Sequence, residues 1–511
     1  MRFGTKSRLR PLAVRNMRNG MTQPLETTLA PDDWTELRYE QAYCAGNWLG
    51  SRPNERIDIQ NPSTGEVIGS VPCLGIEEAR DAIIAARAAQ PAWQGLLPRQ
   101  RGDVLMRWHD LLMRHRRQLA ALMTKEQGKP LADAIGEIEY GASFIRWFAE
   151  EASRLYGEVI PSHLSARRLF VQREALGVVG LITPWNFPSA MLARKAAAAL
   201  AAGCSAVAVP SVLTPFSALA LAALGEKAGL PPGIFSVLTG NPAVLGGELC
   251  RNDGVRGISF TGSTEVGRLL MAQCAPSIKR LSLELGGHAP FIVFSDVDVE
   301  SAAKAAAEAK YQTGGQDCLA ANRIFVHRSI YQGFLDAFVR AAKSIRVGDG
   351  FDQATDMGPL INRQTLAKSE AHVADAVGKG ARLLTGGRRL PQGELFYEPT
   401  VLADVTSEMK IMHEETFGPV AAITAFDEEA EVLAAANNTE YGLVAYVFTS
   451  DLSRSHRVSD ALEYGMVAVN TVKLTGAPIP FGGIKQSGIG REGSRYGLDE
   501  FTTLKYVCTA V

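Results

Sequence analysis

One cysteine lies in a sequence context that suits nucleophilic catalysis. Cys318 follows the polar, glycine-rich segment Gly314-Gly-Gln-Asp and is one of seven cysteines. A cysteine attacks as the thiolate, so it needs surroundings that lower its pKa or a base that takes its proton. A small cysteine buried in a core is the alternative interpretation, and it fits most of the other six. Taken alone, Cys318 leaves both interpretations open.

Two polar residues at the ends of apolar segments can serve such a nucleophile. Glu284 ends the apolar strand of Leu281-Ser-Leu-Glu-Leu-Gly-Gly-His, where burial would raise its pKa and make it a base near neutral pH. Asn186 stands between Pro184 and Pro188, and a rigidly held amide suits an oxyanion. The alternatives are a surface strand residue for Glu284 and a helix-capping turn for Asn186.

The composition excludes several classes of function. In 511 residues, 53 Lys and Arg balance 54 Asp and Glu, so no strong field attracts nucleic acid or an anionic membrane, and a small-molecule partner is favoured. The seven cysteines form no CxxC pair and have no histidine neighbours. They fit neither a disulfide framework nor a metal site, and they indicate reduced thiols in a cytoplasm. No apolar run reaches the roughly 18 residues of a membrane span.

The elements that must position these residues follow an α/β pattern. Strands and helices alternate between residues 177 and 275, which predicts a parallel, Rossmann-like sheet. The expected strands are 177–182, 205–209, 234–238 and 257–260, and the expected helices are 188–202, 214–228, 242–250 and 263–275. We expect a helical region over 76–157, broken at Pro91 and Pro98, and a second α/β region over 290–420.

Glycines lie at the strand ends where such a sheet can bind a dinucleotide. Gly240 follows the strand 234–238, and Gly262-Ser-Thr-Glu-Val-Gly267 follows the strand 257–260. The second segment does not match GxGxxG. A helix N-terminus that offers backbone N–H groups to phosphate and a simple tight turn are both compatible with it.

Six segments together resemble the aldehyde dehydrogenase superfamily, in the same order and at comparable spacing, over about residues 40–508. They are Pro184-Trp-Asn-Phe-Pro, Phe260-Thr-Gly-Ser-Thr, Leu283-Glu-Leu-Gly-Gly, Gly315-Gln-Asp-Cys, Glu414-Glu-Thr-Phe-Gly-Pro and Pro480-Phe-Gly-Gly-Ile-Lys-Gln-Ser-Gly. The resemblance implies an aldehyde dehydrogenase-like α/β fold with a Rossmann-like cofactor domain, an α/β catalytic domain and a small β element that pairs subunits into homodimers or homotetramers.

The resemblance also implies domain boundaries. The cofactor-binding domain is expected over 32–163 and 176–285, the catalytic domain over 286–480, and the oligomerisation element over 164–175 and 488–511. A basic, disordered extension is expected over 1–31. Its first 25 residues carry six basic side chains and no acid, a composition typical of an Arg-rich transit peptide, although an upstream start codon or a simple extension explains it as well.

The resemblance assigns catalytic and cofactor roles. Cys318 becomes the nucleophile, the Asn186 amide and the Cys318 backbone N–H become the oxyanion hole, and Glu284 activates the water that hydrolyses the thioester. Glu492 matches a second acid that is sometimes placed in a proton relay, and no metal is implied. NAD or NADP is the implied cofactor, held by Thr183, Pro184, Trp185, Val209, Gly240, Gly262, Ser263, Gly267, Glu415 and Phe417.

Within the superfamily the chain is most similar to succinate-semialdehyde dehydrogenases. The similarity implies that Arg194 binds the substrate carboxylate through its planar fork of donors. Gln312 stands where that subfamily usually carries a second arginine, and the loop that contains Thr475 has the usual length but different side chains. A semialdehyde acid such as succinate semialdehyde is the expected substrate. A related acid, a sulfonated aldehyde and a neutral or aromatic aldehyde are the alternatives.

Two further departures affect the expected function. The segment Val209-Pro-Ser-Val stands where the family carries Lys-Pro-Ser-Glu, whose Lys and Glu bind the adenine ribose, so the choice between NAD and NADP stays open. Ala320 replaces a frequent second cysteine, which removes a disulfide switch there. A non-catalytic homologue with impaired cofactor binding is the alternative from another class, and a thiol hydrolase or esterase without redox function is a third.

Overall fold

The computed structural model describes residues 31–50 and 55–511, and within this part of the chain helices pack around four β-sheets. The predicted basic extension lies almost wholly outside the described residues. The described strands are β1 Ala42–Cys44, β2 Asn47–Leu49, β3 Arg56–Gln60, β4 Val67–Pro72, β5 Glu158–Ile160, β6 Arg167–Ala175, β7 Val178–Ile182, β8 Ser205–Val209, β9 Phe235–Val237, β10 Gly257–Thr261, β11 Arg280–Glu284, β12 Ala289–Val293, β13 Ala321–His327, β14 Arg382–Thr385, β15 Thr400–Ala403, β16 Val420–Phe426, β17 Val444–Phe448, β18 Met466–Val469, β19 Gly488–Ile489 and β20 Thr502–Ala510.

Helices connect and cover these strands. The described α-helices are α1 Ile76–Gln94, α2 Pro98–Arg114, α3 Arg116–Gln127, α4 Leu131–Glu151, α5 Ala190–Ala202, α6 Pro215–Ala228, α7 Pro242–Arg251, α8 Thr264–Cys274, α9 Val299–Tyr311, α10 Tyr331–Ser344, α11 Arg363–Gly378, α12 Glu429–Asn437 and α13 Leu452–Ala461. Short 3-10 turns occur at Pro31–Leu37, Ala152–Arg154, Ala275–Ser277, Gln312–Gly315, Arg328–Ile330, Lys410–Met412, Lys485–Ser487 and Arg495–Phe501. Among the described helices, none is long and apolar enough to span a membrane.

The first large sheet has the strand order β19-β11-β10-β7-β8-β9-β1-β2. Its five central strands, β11 to β9 in that order, run parallel. Parallel neighbours need crossover connections, and α5 to α8 supply them between β7 and β11. Strands β7 and β8 are buried along their whole length, as expected for a sheet covered on both faces. The Rossmann-like α/β prediction for this region is confirmed.

The second large sheet has the order β14-β15-β16-β13-β12-β17-β18 and is parallel except for the β14–β15 pair. Its helices α9 and α10 pack on one face, where Phe291, Phe334 and Phe338 belong to one buried cluster. The predicted second α/β region is therefore present. It extends to Val469, beyond the predicted end near residue 420, because β17 and β18 add two further parallel strands.

A third sheet is small and antiparallel, in the order β20-β6-β5. It contains residues of both segments that were assigned to the oligomerisation element, but the boundaries differ. Glu158–Ile160 pairs with β6, although it was assigned to the cofactor domain. Gly488–Ile489 instead pairs with β11 in the first large sheet. Both strands are only two or three residues long, and strands this short carry no clear sequence periodicity.

One expected break in the helical region is wrong. Helix α1 continues through Pro91 to Gln94, because a proline this close to the C-terminus of a helix disturbs only the last turn. Pro98, by contrast, is the first residue of α2, the position where its missing N–H has no helical partner to lose.

Candidate active site

A cavity of about 850 Å³ lies where the two large sheets direct their loops towards each other. From the first sheet, the residues that follow β7, β10 and β11 line it; the carboxyl ends of parallel strands are the usual place for a ligand. From the second sheet, the turn before β13 and the segment before β16 line the opposite wall. Helix α4 and the loop before Phe481 close the remaining sides.

The cavity brings most of the predicted site residues together. Those that line it are Pro184, Trp185, Asn186, Arg194, Gly262, Ser263, Gln312, Cys318, Glu415, Phe417 and Thr475. Those that do not line it are Thr183, Val209, Gly240, Gly267, Glu284 and Glu492. Among the described residues, no group of three or more His, Cys, Asp or Glu side chains is arranged to hold a metal ion.

Cys318 lies in the turn between α9 and β13 and reaches the cavity. Burial raises the pKa of its thiol well above the usual value, and the nearby carboxylates of Asp317 and Glu415 raise it further, against a smaller opposing effect of Arg194. The thiol is therefore protonated at neutral pH in the protein alone. Before Cys318 can attack, a base must take that proton, or an added positive charge must lower the pKa of the thiol so that the proton leaves.

Glu284 ends β11 and is buried, with 2% of its surface exposed. Within the described structure neither of its carboxylate oxygens has a hydrogen-bond partner. Burial raises its pKa well above the usual value, and the neighbouring charge of Glu492 adds to the effect, while Arg194 and Lys195 oppose it. A carboxyl group in this environment can take up a proton near neutral pH, which is the property of a general base.

Glu492 lies between two buried cations. Its carboxylate pairs with the Arg194 guanidinium and with the Lys195 ammonium. These two charges hold its pKa below the usual value despite burial. A carboxylate kept ionised in this way is a poor proton carrier, so the structure gives Glu492 an ion-pairing role, and the predicted proton relay remains untested.

Arg194 contacts both the cavity and the protein interior. It is 1% exposed, and its guanidinium lies 5.6 Å from the ring centre of Phe144 and 4.5 Å from that of Phe481. Within the described structure its Nε and Nη1 have no hydrogen-bond partner, although the guanidinium pairs with the Glu492 carboxylate. The predicted carboxylate-binding role of Arg194 remains a prediction, since the guanidinium already has a protein partner.

The Asn186 side chain points towards the segment that carries the nucleophile. Its Nδ2 donates to the backbone carbonyl of Gln316, two residues before Cys318, at 3.0 Å. The Asn186 carbonyl in turn accepts a hydrogen bond from Lys129 Nζ at 2.8 Å. Lys129 also pairs with Glu137 at 2.5 Å. The side-chain amide of Asn186 is thus held by Gln316 and its backbone carbonyl by Lys129, with one side-chain N–H still available to an oxyanion.

The residues expected around a nicotinamide form a suitable pocket. The rings of Trp185 and Phe417 meet edge to face at 5.5 Å between centres. Glu415 is held by the Gly287 N–H at 2.9 Å, and burial raises its pKa to about 7. Ser263 caps α8 by accepting from the Val266 N–H, which leaves other N–H groups of that helix start free for phosphate.

The three glycines differ in what they do. A Cβ on Gly262 would lie 2.3 Å from the Phe260 ring, and one on Gly267 would lie 2.6 Å from Leu285. Gly240 has a positive φ of 157°, and a Cβ there would lie 2.6 Å from a backbone oxygen of residue 74. Gly240 and Gly267 therefore permit close packing, whereas Gly262 is the glycine that reaches the cavity.

The adenine end of the expected cofactor site begins at the carboxyl end of β8. Val209 is buried with 1% of its surface exposed, and its carbonyl accepts the Thr183 N–H at 3.2 Å. Val212, three residues later, is half-buried. Neither side chain offers a charged or hydrogen-bonding group to a ribose.

Several residues that line the cavity were not predicted from the sequence. Lys129, Tyr140, Lys368 and Lys473 all line it. Lys129 stands in the segment Lys125-Glu-Gln-Gly-Lys-Pro-Leu, which carries part of the family resemblance. This shared motif could have drawn attention to Lys129. The polar segment around Lys129, however, gives no indication that the lysine is buried.

The comparisons with known proteins agree with this geometry. The model of the aldehyde dehydrogenase family matches residues 48–507. The succinate-semialdehyde dehydrogenase GabD of Escherichia coli, whose name specifies NADP(+), is 51% identical over 93% of this chain and 98% of its own length. The glutarate-semialdehyde dehydrogenase of Pseudomonas aeruginosa is 50% identical over 93% of this chain and 98% of its own length.

Among solved structures, that of betaine aldehyde dehydrogenase from Staphylococcus aureus in complex with NAD+ superposes with a TM-score of 0.91. It is 35% identical, and the match covers 94% of this chain and 96% of that one. The similarity therefore extends over both large sheets and the cavity between them.

Proposed function

The chain belongs to the aldehyde dehydrogenase family, and we propose that it oxidises a semialdehyde that carries an acid group, with succinate semialdehyde as the first candidate, using NAD or NADP. One observation carries the proposal: Cys318 and Asn186 line the same cavity, and the buried carboxyl of Glu284 lies next to it. The names of the succinate- and glutarate-semialdehyde dehydrogenases above support the substrate class.

The first step uses the chain's own proton acceptor. Glu284 takes the proton of Cys318, and the sulfur then attacks the aldehyde carbon to give a thiohemiacetal. Because burial raises the pKa of Glu284, the transfer is less uphill than it would be to an ordinary carboxylate, while the raised pKa of Cys318 opposes it. The oxygen that becomes negative accepts hydrogen bonds from the Asn186 amide and the Cys318 backbone N–H.

The cofactor pocket and the second half of the reaction follow from the same residues. Trp185, Phe417 and Glu415 would hold the nicotinamide, which when bound accepts a hydride from the thiohemiacetal carbon and leaves a thioester on Cys318. Glu284 first releases to solvent the proton that it took from Cys318, and it then takes a proton from a water molecule, whose oxygen attacks the thioester carbon. The carboxylic acid leaves, the Cys318 sulfur departs with the electron pair of its bond, and the Glu284 proton is released.

The test is reduced-nicotinamide absorbance with NAD and with NADP, across semialdehyde acids, a sulfonated aldehyde, a neutral aliphatic aldehyde and benzaldehyde. Cys318→Ala should abolish turnover. Glu284→Gln should slow turnover by about 10²–10⁴, because Glu284 serves both the attack of Cys318 and the hydrolysis of the thioester. Raising the pH should restore part of the attack, and mass spectrometry should then detect an acyl group that accumulates on Cys318. Thioester or ester hydrolysis without reduced cofactor would favour the hydrolase alternative, and a folded protein inactive with every pair would favour the non-catalytic one.

We also propose that the three-stranded sheet pairs subunits into a homo-oligomer. Its strands expose large apolar side chains: Val159 is 88% exposed, Leu504 64% and Tyr506 56%. Strands β5 and β20 are its two edges, and open edges with apolar neighbours favour pairing with another chain. On this proposal the oligomerisation element comprises β5, β6 and β20, and the cofactor and catalytic domains correspond to the two large sheets.

A further inference from the structure

Lys473 is a cation at the cavity that the mechanism above does not use. It lies in the loop between β18 and Phe481, is exposed, and lines the cavity together with Thr475. Val472 and Leu474 on either side of it pack against the core of the second large sheet. The Lys473 N–H is also bonded to Thr471 Oγ1 at 3.1 Å. The loop is therefore anchored, and its lysine is presented at a defined place.

Two of the three other cations that line the cavity are paired with protein carboxylates. Arg194 pairs with Glu492, and Lys129 pairs with Glu137 at 2.5 Å. Lys368 lies on the side of Glu415, where its charge lowers the pKa of that carboxyl. Gln312, the residue that stands in place of a second arginine, carries no charge. In contrast, Lys473 forms no ion pair with any residue that the structure describes.

An acid substrate needs a partner for its remote anionic group. A buried or half-buried carboxylate or sulfonate binds well only when a cation or several donors meet it. The acids on the cavity wall, Asp133 among them, would repel it. Lys473 and Lys368 are the two cavity cations that are exposed and form no ion pair with a described residue. Lys368 acts on Glu415, at the end of the cavity expected to hold the nicotinamide, whereas Lys473 shares its loop with Thr475 near Tyr140.

We propose that Lys473 is a specificity-determining residue that binds the remote anionic group of the substrate, carboxylate or sulfonate, in the place of the arginine that Gln312 replaces. The inference rests on the proposed function and deepens it. It assigns selection of acid over neutral aldehydes to the loop before Phe481. Tyr140, whose hydroxyl lies near Arg194 and Thr475, would complete the polar side of this subsite.

The test compares kcat/KM of the wild-type protein, Lys473→Met and Lys473→Arg for succinate semialdehyde, glutarate semialdehyde, a sulfonated aldehyde, and the neutral aldehydes butanal and pentanal. Met keeps the length of the side chain without its charge. We expect Lys473→Met to lower kcat/KM for the anionic aldehydes by about tenfold or more, chiefly through KM, and to leave the neutral aldehydes unchanged. Lys473→Arg should retain most of the preference.

A second readout tests the charge directly. Exposed charges are screened by salt, so the wild-type KM for an acid aldehyde should rise with ionic strength, and this dependence should weaken in Lys473→Met. Lys343→Met is the matched control, since Lys343 is an exposed lysine of α10 that does not line the cavity. It should behave as the wild type.

The outcomes separate the two proposals. If the wild type oxidises no aldehyde, the proposed function fails. If it oxidises acid aldehydes and Lys473→Met does so equally well, or loses acid and neutral aldehydes alike, the role of Lys473 is overturned while the proposed function stands. The wild-type ratio between carboxylated and sulfonated aldehydes identifies which anion the subsite prefers.

Discussion

The thiol of Cys318 is held in its neutral form by its own neighbours. Burial comes first and the Asp317 carboxylate second among the causes of its raised pKa. Thiolate is the reactive form, so alkylation of Cys318 by iodoacetamide in the protein alone should be slow at pH 7 and should still be rising with pH at pH 9, above the usual thiol pKa of about 8.5.

The charge of Asp317 can be removed with little change of shape. Its Oδ1 accepts the Leu319 N–H at 2.9 Å, and Asn can keep that bond. Asp317→Asn should lower the pKa of Cys318 and raise its alkylation rate at pH 7.5, by about tenfold for each pKa unit. Mass spectrometry of the Cys318 peptide distinguishes it from the exposed Cys508. An alkylation rate that levels off below pH 8 in the unchanged protein would contradict the raised pKa.

We expect single residues to influence the choice between NAD and NADP as well. Val212 is uncharged where the family carries a glutamate that disfavours the 2′-phosphate of NADP. We expect Val212→Glu to lower kcat/KM with NADP by about tenfold or more through like-charge repulsion, while NAD is used as well as before or better. Absorbance assays with both cofactors measure this, and Val212→Gln is the neutral control. An equal loss with NAD and NADP would mean that Val212 serves packing instead.

At the scale of elements, the contact between α4 and α5 positions Asn186, the proposed oxyanion donor. Glu137 of α4 accepts the N–H groups of Ser189 and Ala190 at the start of α5. Its other oxygen binds Lys129, which holds the Asn186 carbonyl. One buried ion pair thus links the start of α5 to the loop that carries Asn186.

Removing one partner of this pair should be costly. Lys129→Met leaves the Glu137 carboxylate buried without its cation, which destabilises a protein by about 3–5 kcal/mol. The double variant Lys129→Met, Glu137→Gln should regain part of the loss, because no buried charge remains. Thermal unfolding measures both, and kcat should fall more than KM rises in any folded variant. A double variant less stable than Lys129→Met would argue against a charge effect.

Most helices and strands were predictable, because in the region of the parallel sheet long apolar runs mark the elements and glycines mark their ends. Helices expected at 214–228 and 242–250 occur at Pro215–Ala228 and Pro242–Arg251. The predictions that failed concerned short strands or contacts between distant parts of the chain. Gly488–Ile489, for example, forms a strand only because β11 pairs with it. The burial of Lys129, which lies just before α4, likewise depends on Glu137, eight residues later in that helix.

At the scale of the whole molecule, the site exists only because the two large sheets face each other. The first contributes Asn186, Arg194 and Glu284, and the second contributes Cys318 and Glu415. The motifs identified these residues from the sequence. The lining of the substrate end could not be derived in this way, because it brings α4 together with a loop more than three hundred residues later. Only this contact places Lys473 at the cavity.

The three-stranded sheet has the surface expected of a contact between subunits. In one chain its apolar side chains face solvent, and large exposed apolar surfaces favour association. We therefore expect a homodimer or homotetramer by light scattering after size exclusion. Leu504→Glu and Val159→Lys each place a charge on this sheet and should shift the protein towards monomers, whereas Leu452→Glu, at a similarly exposed leucine of α13, should leave the assembly unchanged. A monomeric wild type, or an oligomer that survives both sheet substitutions, would show that this sheet does not join the subunits.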